Sequence, residues 1–221
     1  MNLPDHLLPF DWLWPGWGLF ALVLFWAVRT APWHRLKDAD RLNLWLGACV
    51  LLMALWSVKT GIKPGLNFHL LGATAATLMF GPQLAFIGLV IVLTAVTLAG
   101  MSGWQGFGWN AVLMAALPVA VSYGIYRLVD RKLPNHLFIY IFLNAFLGGA
   151  LAMACVGLGA TLLLQAAGVY PAAYLQDNYL PYFVLLAWSE AVTTGMAITL
   201  MTVYYPEWVG TFDDARYLHR K

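Results

Sequence analysis

The stretch LFIYIFLNAFLGGALAMACVGLGATLLLQ, residues 137–165, decides the fold because it contains no charged residue. A helix needs about 20 consecutive, mostly apolar residues to cross the hydrocarbon core of a bilayer. This run exceeds that length. It predicts a helix that crosses the membrane at a tilt or projects beyond it.

The rest of the chain has the same character. Of its 221 residues, 62% are hydrophobic and 10% are charged, whereas soluble domains have about 45–50% apolar and 25% charged residues. Such an excess of apolar side chains cannot be buried in one soluble core. The composition therefore predicts an integral membrane protein.

Short polar stretches divide the sequence into about seven apolar runs. These runs predict an all-α protein with about seven transmembrane helices. The runs are 12–28, 42–58, 66–80, 84–98, 109–128, 137–165 and 181–205. The third and fourth runs are short and share the tight turn Phe80-Gly81-Pro82-Gln83. No polar stretch between runs is long enough to fold alone, so residues 1–221 are predicted to form a single transmembrane domain.

The basic residues predict the orientation. With seven spans, ten of the twelve fall on one side, and Lys59 and Lys63 fall on the other. The ten are Arg29, Arg35, Lys37, Arg41, Arg127, Arg131, Lys132, Arg216, Arg220 and Lys221. Because basic loops stay in the cytoplasm, we expect the N-terminus outside and the C-terminus inside the cell.

Polar groups that the orientation places at the outer face indicate a metal site. The tail from Met1 to His6, His69 near the outer end of the third run, and Asn110 at the start of the fifth would lie together. Imidazole and amine nitrogens suit divalent nickel, cobalt, copper or zinc. There are alternatives to metal binding for both histidines. His69 could be a hydrogen-bonded residue at the membrane interface, and His6 could be a solvated residue of the tail.

Glu190 is an acid well inside an apolar run. A carboxylate within the membrane is costly unless it is paired or protonated, so such a residue is a functional candidate. Either it is protonated and hydrogen-bonds a neighbouring helix, or it is charged and faces a polar cavity on a substrate path.

A face of small residues in the sixth run allows helices to approach closely. Gly148, Ala152, Cys155 and Gly159 follow one another at spacings of four, three and four. Packing within this chain and docking of a second membrane subunit are both compatible with this pattern.

Enzymatic and nucleic-acid functions have no support in the sequence. The glycines at 100, 103, 106 and 108 join two apolar runs without the Lys-Ser/Thr pair of a phosphate loop. No hydrolase or oxidoreductase constellation is present, and the net charge of +2 reflects basic cytoplasmic loops. We therefore predict a non-enzyme whose ATP-driven work is done by another chain.

Several short motifs, in order along the chain, resemble the CbiM-type permeases, the substrate-capturing subunits of energy-coupling-factor transporters for cobalt and nickel. They are Met-Asn-Leu-Pro-Asp at 1–5, Asn-Phe-His-Leu-Leu-Gly at 67–72, Phe-Gly-Pro at 80–82, Asn-Ala-Val-Leu-Met at 110–114 and the segment 190–195. Together they cover most of the chain.

The resemblance implies a set of metal ligands. In that family the N-terminal amine, the second residue and the histidine of the His-Leu run hold the metal, which implicates Met1, Asn2 and His69. The family has histidine at the second position, where this chain has Asn2. His6, where the family usually has glycine, is a candidate to replace the missing imidazole.

The resemblance also implies a function. We expect a multi-pass permease in the bacterial plasma (inner) membrane that captures a divalent transition metal, nickel or cobalt, as its substrate and uses no organic cofactor. Its expected partners are membrane lipid, a coupling membrane subunit and ATPase subunits. A permease for another small solute and a non-transporting scaffold or assembly factor are the alternatives. Metal-dependent protection of the tail would distinguish the metal permease from both, and co-purifying ATPase subunits would exclude a scaffold.

Overall fold

The structure, a computed structural model, describes residues 1–217, so Arg220 and Lys221 of the orientation prediction lie outside the described residues. The helices and strands, in chain order, are α1 (Phe10–Thr30), α2 (Ala39–Ser57), β1 (Thr60–Lys63), β2 (Leu66–Phe68), α3 (Ala73–Phe80), α4 (Pro82–Leu98), α5 (Phe107–Lys132), α6 (Leu137–Ala166), α7 (Ala172–Asn178), α8 (Tyr182–Tyr204) and α9 (Asp214–Tyr217). Within α5 and α6, the segments Val112–Ala116 and Tyr140–Leu147 are π-helical.

The predicted all-α membrane fold is confirmed. Within residues 1–217, the helices α1, α2, α5, α6 and α8 are long and apolar enough to cross a membrane, and α4 is a shorter apolar helix. Large apolar side chains point away from the bundle: Leu22 is 68% exposed and Trp188 is 73% exposed. Such a surface requires lipid around it, so this is a multi-pass membrane protein.

The third predicted span, 66–80, is helical only in its second half. Leu66–Phe68 pairs with Thr60–Lys63 in an antiparallel hairpin, and the helix begins at Ala73. Between them, residues 69–72 have no regular structure, and Gly72 has a left-handed φ of 63°. The prediction of a continuous helix was wrong because partners distant in sequence satisfy the backbone of this segment, as described below.

The predicted turn at Phe80-Gly81-Pro82 is confirmed. Gly81 has a φ of 80°, which favours glycine. Pro82 then occupies the first position of α4, where its missing N–H costs no helical hydrogen bond.

Two ends of the bundle can be distinguished by their loops. The N-terminal end holds the tail 1–6, the hairpin 60–68 and the loop 99–106, and the C-terminal end holds the segments 31–38 and 205–213. The Gly103 N–H donates to the Leu3 carbonyl at the first end. At the second, the Gly210 N–H donates to the Met79 carbonyl. Lys59 and Lys63 thus lie apart from the other described basic residues.

The small-residue face of α6 packs within the chain. A Cβ at Gly159 would lie 3.1 Å from Leu113 and Leu117 of α5, and one at Gly148 would lie 3.5 Å from Thr74 of α3. Ala152 is buried. Of the two sequence alternatives, packing within the chain therefore accounts for Gly148, Ala152 and Gly159.

Candidate metal site

The first three residues fold into the N-terminal end of the bundle. Met1, Asn2 and Leu3 are at most 2% exposed. The side chain of Asn110 pairs with the backbone of Leu3 as a neighbouring strand would. Its Oδ1 accepts from the Leu3 N–H at 2.8 Å, and its Nδ2 donates to the Leu3 carbonyl at 3.1 Å. The first three residues therefore lie inside the bundle.

Three oxygen atoms surround the α-amine of Met1. The amine donates to the carbonyls of Gly65 and Asn67 at 2.9 and 2.7 Å and to the Asn67 side-chain oxygen at 2.7 Å. The same Oδ1 accepts from the Asn2 N–H at 2.8 Å. Burial, and secondarily the charge of Lys59, lower the pKa of this amine well below its ordinary value. The three surrounding oxygen atoms favour the charged ammonium form, but burial has the larger effect on the pKa of this amine.

His69 lies between β2 and α3, outside the spanning helices, and is 4% exposed. Its Nδ1 is 2.9 Å from the Leu70 carbonyl and its Nε2 is 2.8 Å from the side chain of Asn2. Burial is the main cause that lowers the pKa of His69 to about 3, so the ring is neutral and carries one proton. Because a carbonyl only accepts, that proton is on Nδ1, and Nε2 presents a lone pair.

The lone pair on Nε2 fixes the orientation of the Asn2 amide. The Asn2 atom that lies 2.8 Å from Nε2 must be a donor, so it is the amide nitrogen and not the amide oxygen. This rotation gives a partner to Asn2 Nδ2, which otherwise is buried with none. After this rotation, the Asn2 amide oxygen is buried and accepts no hydrogen bond.

The cluster of Met1, Asn2 and His69 thus brings together three kinds of nitrogen: an amine, a main-chain amide and an imidazole. Nickel, cobalt and copper in their divalent forms accept such ligands. A hydrogen bond from the other ring nitrogen to a carbonyl is the arrangement that orients metal-binding histidines. Within residues 1–217, no three His, Cys, Asp or Glu side chains are placed so that they could hold a metal ion. A metal site at this cluster would therefore depend on terminal and main-chain nitrogen.

His6 does not join this buried cluster. The residue is exposed, has a φ of 63°, and donates its backbone N–H to Gln105 Oε1 at 3.0 Å. Asp5 beside it accepts from the Gln105 N–H at 2.7 Å. These two bonds hold the tail in a turn at the surface, with His6 on its exposed side.

Glu190 of α8 supports the segment that carries His69. Its two carboxylate oxygens accept from the backbone N–H groups of Leu71 and Gly72 at 2.8 and 2.7 Å. Trp56 of α2 donates its indole N–H to the Leu71 carbonyl at 3.0 Å. An ionised carboxylate at the start of a helix is stabilised by the unpaired N–H groups there. The structure therefore shows Glu190 as a hydrogen-bond acceptor for the segment between β2 and α3.

Glu190 also borders a groove of about 1270 Å³ between α2, α3 and α8. The groove runs past Leu52 and Ala76 to Arg41 at the C-terminal end. Its walls are mostly apolar. The carboxylate is at one edge of this groove and faces the backbone of residues 69–72.

Asn67 is the residue of this site that sequence reasoning did not single out. Its side-chain oxygen accepts from both the Met1 amine and the Asn2 N–H. A polar amide two residues before His69, inside an apolar run, was the available signal. Its role depends on the tail returning to it, which residue spacing does not reveal.

Comparison with known proteins shows a family match over almost the whole chain. Residues 2–208 match the family model CbiM, described as the cobalt uptake substrate-specific transmembrane region. Among curated proteins, the chain is similar to the cobalt transport protein CbiM of Moorella thermoacetica, with 29% identity over 92% of this chain and 80% of that protein. It is 30% identical to the cobalt transport protein CbiM of Chlorobium limicola, over 94% of this chain and 83% of that one.

Two solved structures share the fold. A truncated transition metal transporter superimposes with a TM-score of 0.79 and 22% identity, over 92% of this chain and 99% of that chain. A second transition metal transporter gives a TM-score of 0.76 at the same identity, over 92% and 93%. At this identity the likeness supports the arrangement of helices.

Proposed function

We propose that this chain, which belongs to the CbiM family of cobalt uptake substrate-specific transmembrane regions, captures a divalent transition-metal ion at its N-terminal end for uptake into the cell. Nickel and cobalt are the proposed substrates. The observation that carries the proposal is the burial of the Met1 amine with a neutral His69, whose Nε2 lone pair faces Asn2.

Capture would use nitrogen atoms already held in place. The ion would take the position of a proton on the Met1 amine, bind Nε2 of His69 and contact the main chain or the side chain of Asn2. Asn67 and Asn110 position the tail through hydrogen bonds to Met1, Asn2 and Leu3. A site held by other residues before the ion arrives loses little further conformational entropy on binding.

Transport would require partner chains. The proposed orientation places the N-terminal end outside and the basic C-terminal end in the cytoplasm of the cell, across the bacterial inner membrane. The sequence lacks a nucleotide-binding motif. We therefore propose that the chain acts with a coupling membrane subunit and ATPase subunits of the energy-coupling-factor type.

Equilibrium dialysis with radiolabelled nickel and cobalt tests capture without the partners. The chain, purified in mild detergent with Met1 as its first residue, is expected to retain one ion per molecule. A Gly-Ser extension before Met1 should abolish retention because it replaces the amine with an amide, while the same extension after Lys221 is the matched control. Equal retention by both extended chains would contradict the proposed site.

Purification from native membranes tests the coupling. We expect a second membrane subunit and an ATP-hydrolysing subunit to remain bound to the chain. If the chain retains metal but purifies without these subunits, it is a metal-binding protein and the proposed transporter complex is refuted.

A further inference from the structure

A cavity of about 680 Å³ opens at the N-terminal end, and Asn2 of the cluster of Met1, Asn2 and His69 forms part of its wall. Asn67, which accepts from the Asn2 N–H, also lines the cavity. The remaining walls are the hairpin residues 59–65, the loop residues 100–103 and the tail residues Pro4 and Asp5. Its volume lies within the range of about 300–1,000 Å³ that small-molecule sites occupy, and far exceeds the space one ion needs.

The charge of this cavity has the wrong sign for a bare cation. Lys59 and Lys63 both line it. Asp5 is the acid among the described lining residues, and its Oδ1 already accepts the Gln105 N–H. A positive cavity repels hydrated metal cations and concentrates anions.

Both ammonium groups are held in place with N–H donors to spare. Lys59 donates to the Met101 carbonyl, and Lys63 lies 4.1 Å from the centre of the Tyr174 ring. An ammonium has three N–H donors, so one such contact leaves donors that can bind a carboxylate.

The cluster beside the cavity is also short of ligands. It offers the Met1 amine, the Asn2 main-chain nitrogen and His69 Nε2, whereas the fourth candidate is the Asn2 amide oxygen. An amide oxygen is neutral, whereas an ionised carboxylate oxygen carries negative charge that offsets the charge of the ion. A ligand that came with the ion would complete the coordination.

We propose, on the basis of the proposed function, that the metal reaches this site as a complex with a small anionic chelator of the di- or tricarboxylate class. Lys59 and Lys63 bind the carboxylates, and the chelator contributes the oxygen ligand above the three protein nitrogens. The substrate is then a metal–carboxylate complex and the cavity is its binding site.

Double-label dialysis with nickel-63 and carbon-14 citrate tests this on the full-length chain with its native Met1. We expect citrate to be retained one to one with nickel, and none to be retained without nickel. Lys63→Glu should reduce citrate retention at least tenfold while retention of nickel alone stays equal or rises. Lys132→Glu, an exposed change at the C-terminal end, is the matched control.

Lys59→Gln is a second variant with the same expected loss of citrate. If it fails to fold because Met101 loses its donor, Lys63→Glu alone decides the question. Retention of nickel without citrate, unaffected by Lys63→Glu, would overturn the chelate and leave the proposed function intact. Failure to retain nickel in either form would overturn both.

Discussion

The irregular segment 69–72 has a near end at His69, beside the N-terminal tail, and a far end at Leu71 and Gly72, beside α8. The two ends differ in how their hydrogen-bonding groups are paired. At the far end, both N–H groups that face α8 have a carboxylate oxygen of Glu190 as acceptor. At the near end, His69 Nε2 has the Asn2 side chain as its partner, and the other atom of that buried amide has no partner. The backbone donors at the far end are fully paired, whereas the near end keeps a buried polar atom that a ligand could pair with.

This difference separates support from binding. Backbone groups buried in a membrane protein need internal partners, and irregular backbone is tolerated where other elements supply them. Glu190 and Trp56 supply them for residues 71 and 72, which places His69 rigidly at the near end. Changes at the far end should therefore affect stability first, and changes at the near end should affect metal binding first.

The largest effect is expected for Glu190→Ala. It leaves the buried N–H of Leu71 and the partly buried N–H of Gly72 without acceptors; an unsatisfied buried donor costs about 1–3 kcal/mol. We expect the free energy of unfolding in detergent to fall by about 3 kcal/mol or more, together with loss of metal retention because His69 is displaced. Glu190→Gln, which keeps one oxygen acceptor, should lose roughly half as much.

Glu207→Ala is the control for these variants, since Glu207 is exposed at the C-terminal end. A Glu190→Ala chain with parental stability would show that the two N–H bonds contribute nothing. Parental stability with loss of uptake would instead assign Glu190 to the transport path.

The second prediction concerns His69→Ala, which breaks the near end. Loss of one nitrogen ligand should weaken nickel binding at least tenfold, about 1.4 kcal/mol, as measured by isothermal titration calorimetry. The loss of stability should be smaller than for Glu190→Ala because no acceptor of backbone N–H groups is removed.

His6→Ala serves as the comparison for His69→Ala. His6 is exposed and absent from the buried cluster, so its removal should leave nickel affinity unchanged. Equal losses for the two variants would restore His6 as the substitute ligand that the sequence suggested.

How far the sequence predicted this contrast can be judged from residues 66–80. Their apolar composition correctly predicted a helix in the second half of this stretch and the turn at Gly81. It could not predict the irregular segment, because the partners of Leu71 and Gly72 lie on Glu190, 119 and 118 positions away. His69 was identifiable as a histidine in an apolar run, whereas Asn67 became visible only with the folded tail.

A third prediction sharpens the near end. Asn2→His adds an imidazole next to His69 Nε2 and removes the amide with the unpartnered atom. Because imidazole is a better ligand than an amide oxygen for nickel and cobalt, affinity for the bare ion should rise about tenfold, or 1.4 kcal/mol. Asn2→Ala is the control and should show no gain. A weaker Asn2→His variant would indicate that the side chain at position 2 points away from the ion.

The smallest effect is expected for Trp56→Phe, which tests the second support of the far end. The phenyl ring keeps most of the packing beside His69, whose ring centre is 5.2 Å from that of Trp56, but it cannot donate to the Leu71 carbonyl. One neutral hydrogen bond contributes about 1 kcal/mol, so the free energy of unfolding should fall by that amount.

Nickel affinity should change less in Trp56→Phe than in His69→Ala, because Glu190 still holds residues 71 and 72 and the ligand itself remains. Trp188→Phe, at a 73% exposed site on α8, controls for the loss of an indole in a lipid-facing position. If Trp56→Phe lowers affinity as much as His69→Ala does while stability is unchanged, the far end participates in binding. Support and binding would then not be separable along residues 69–72.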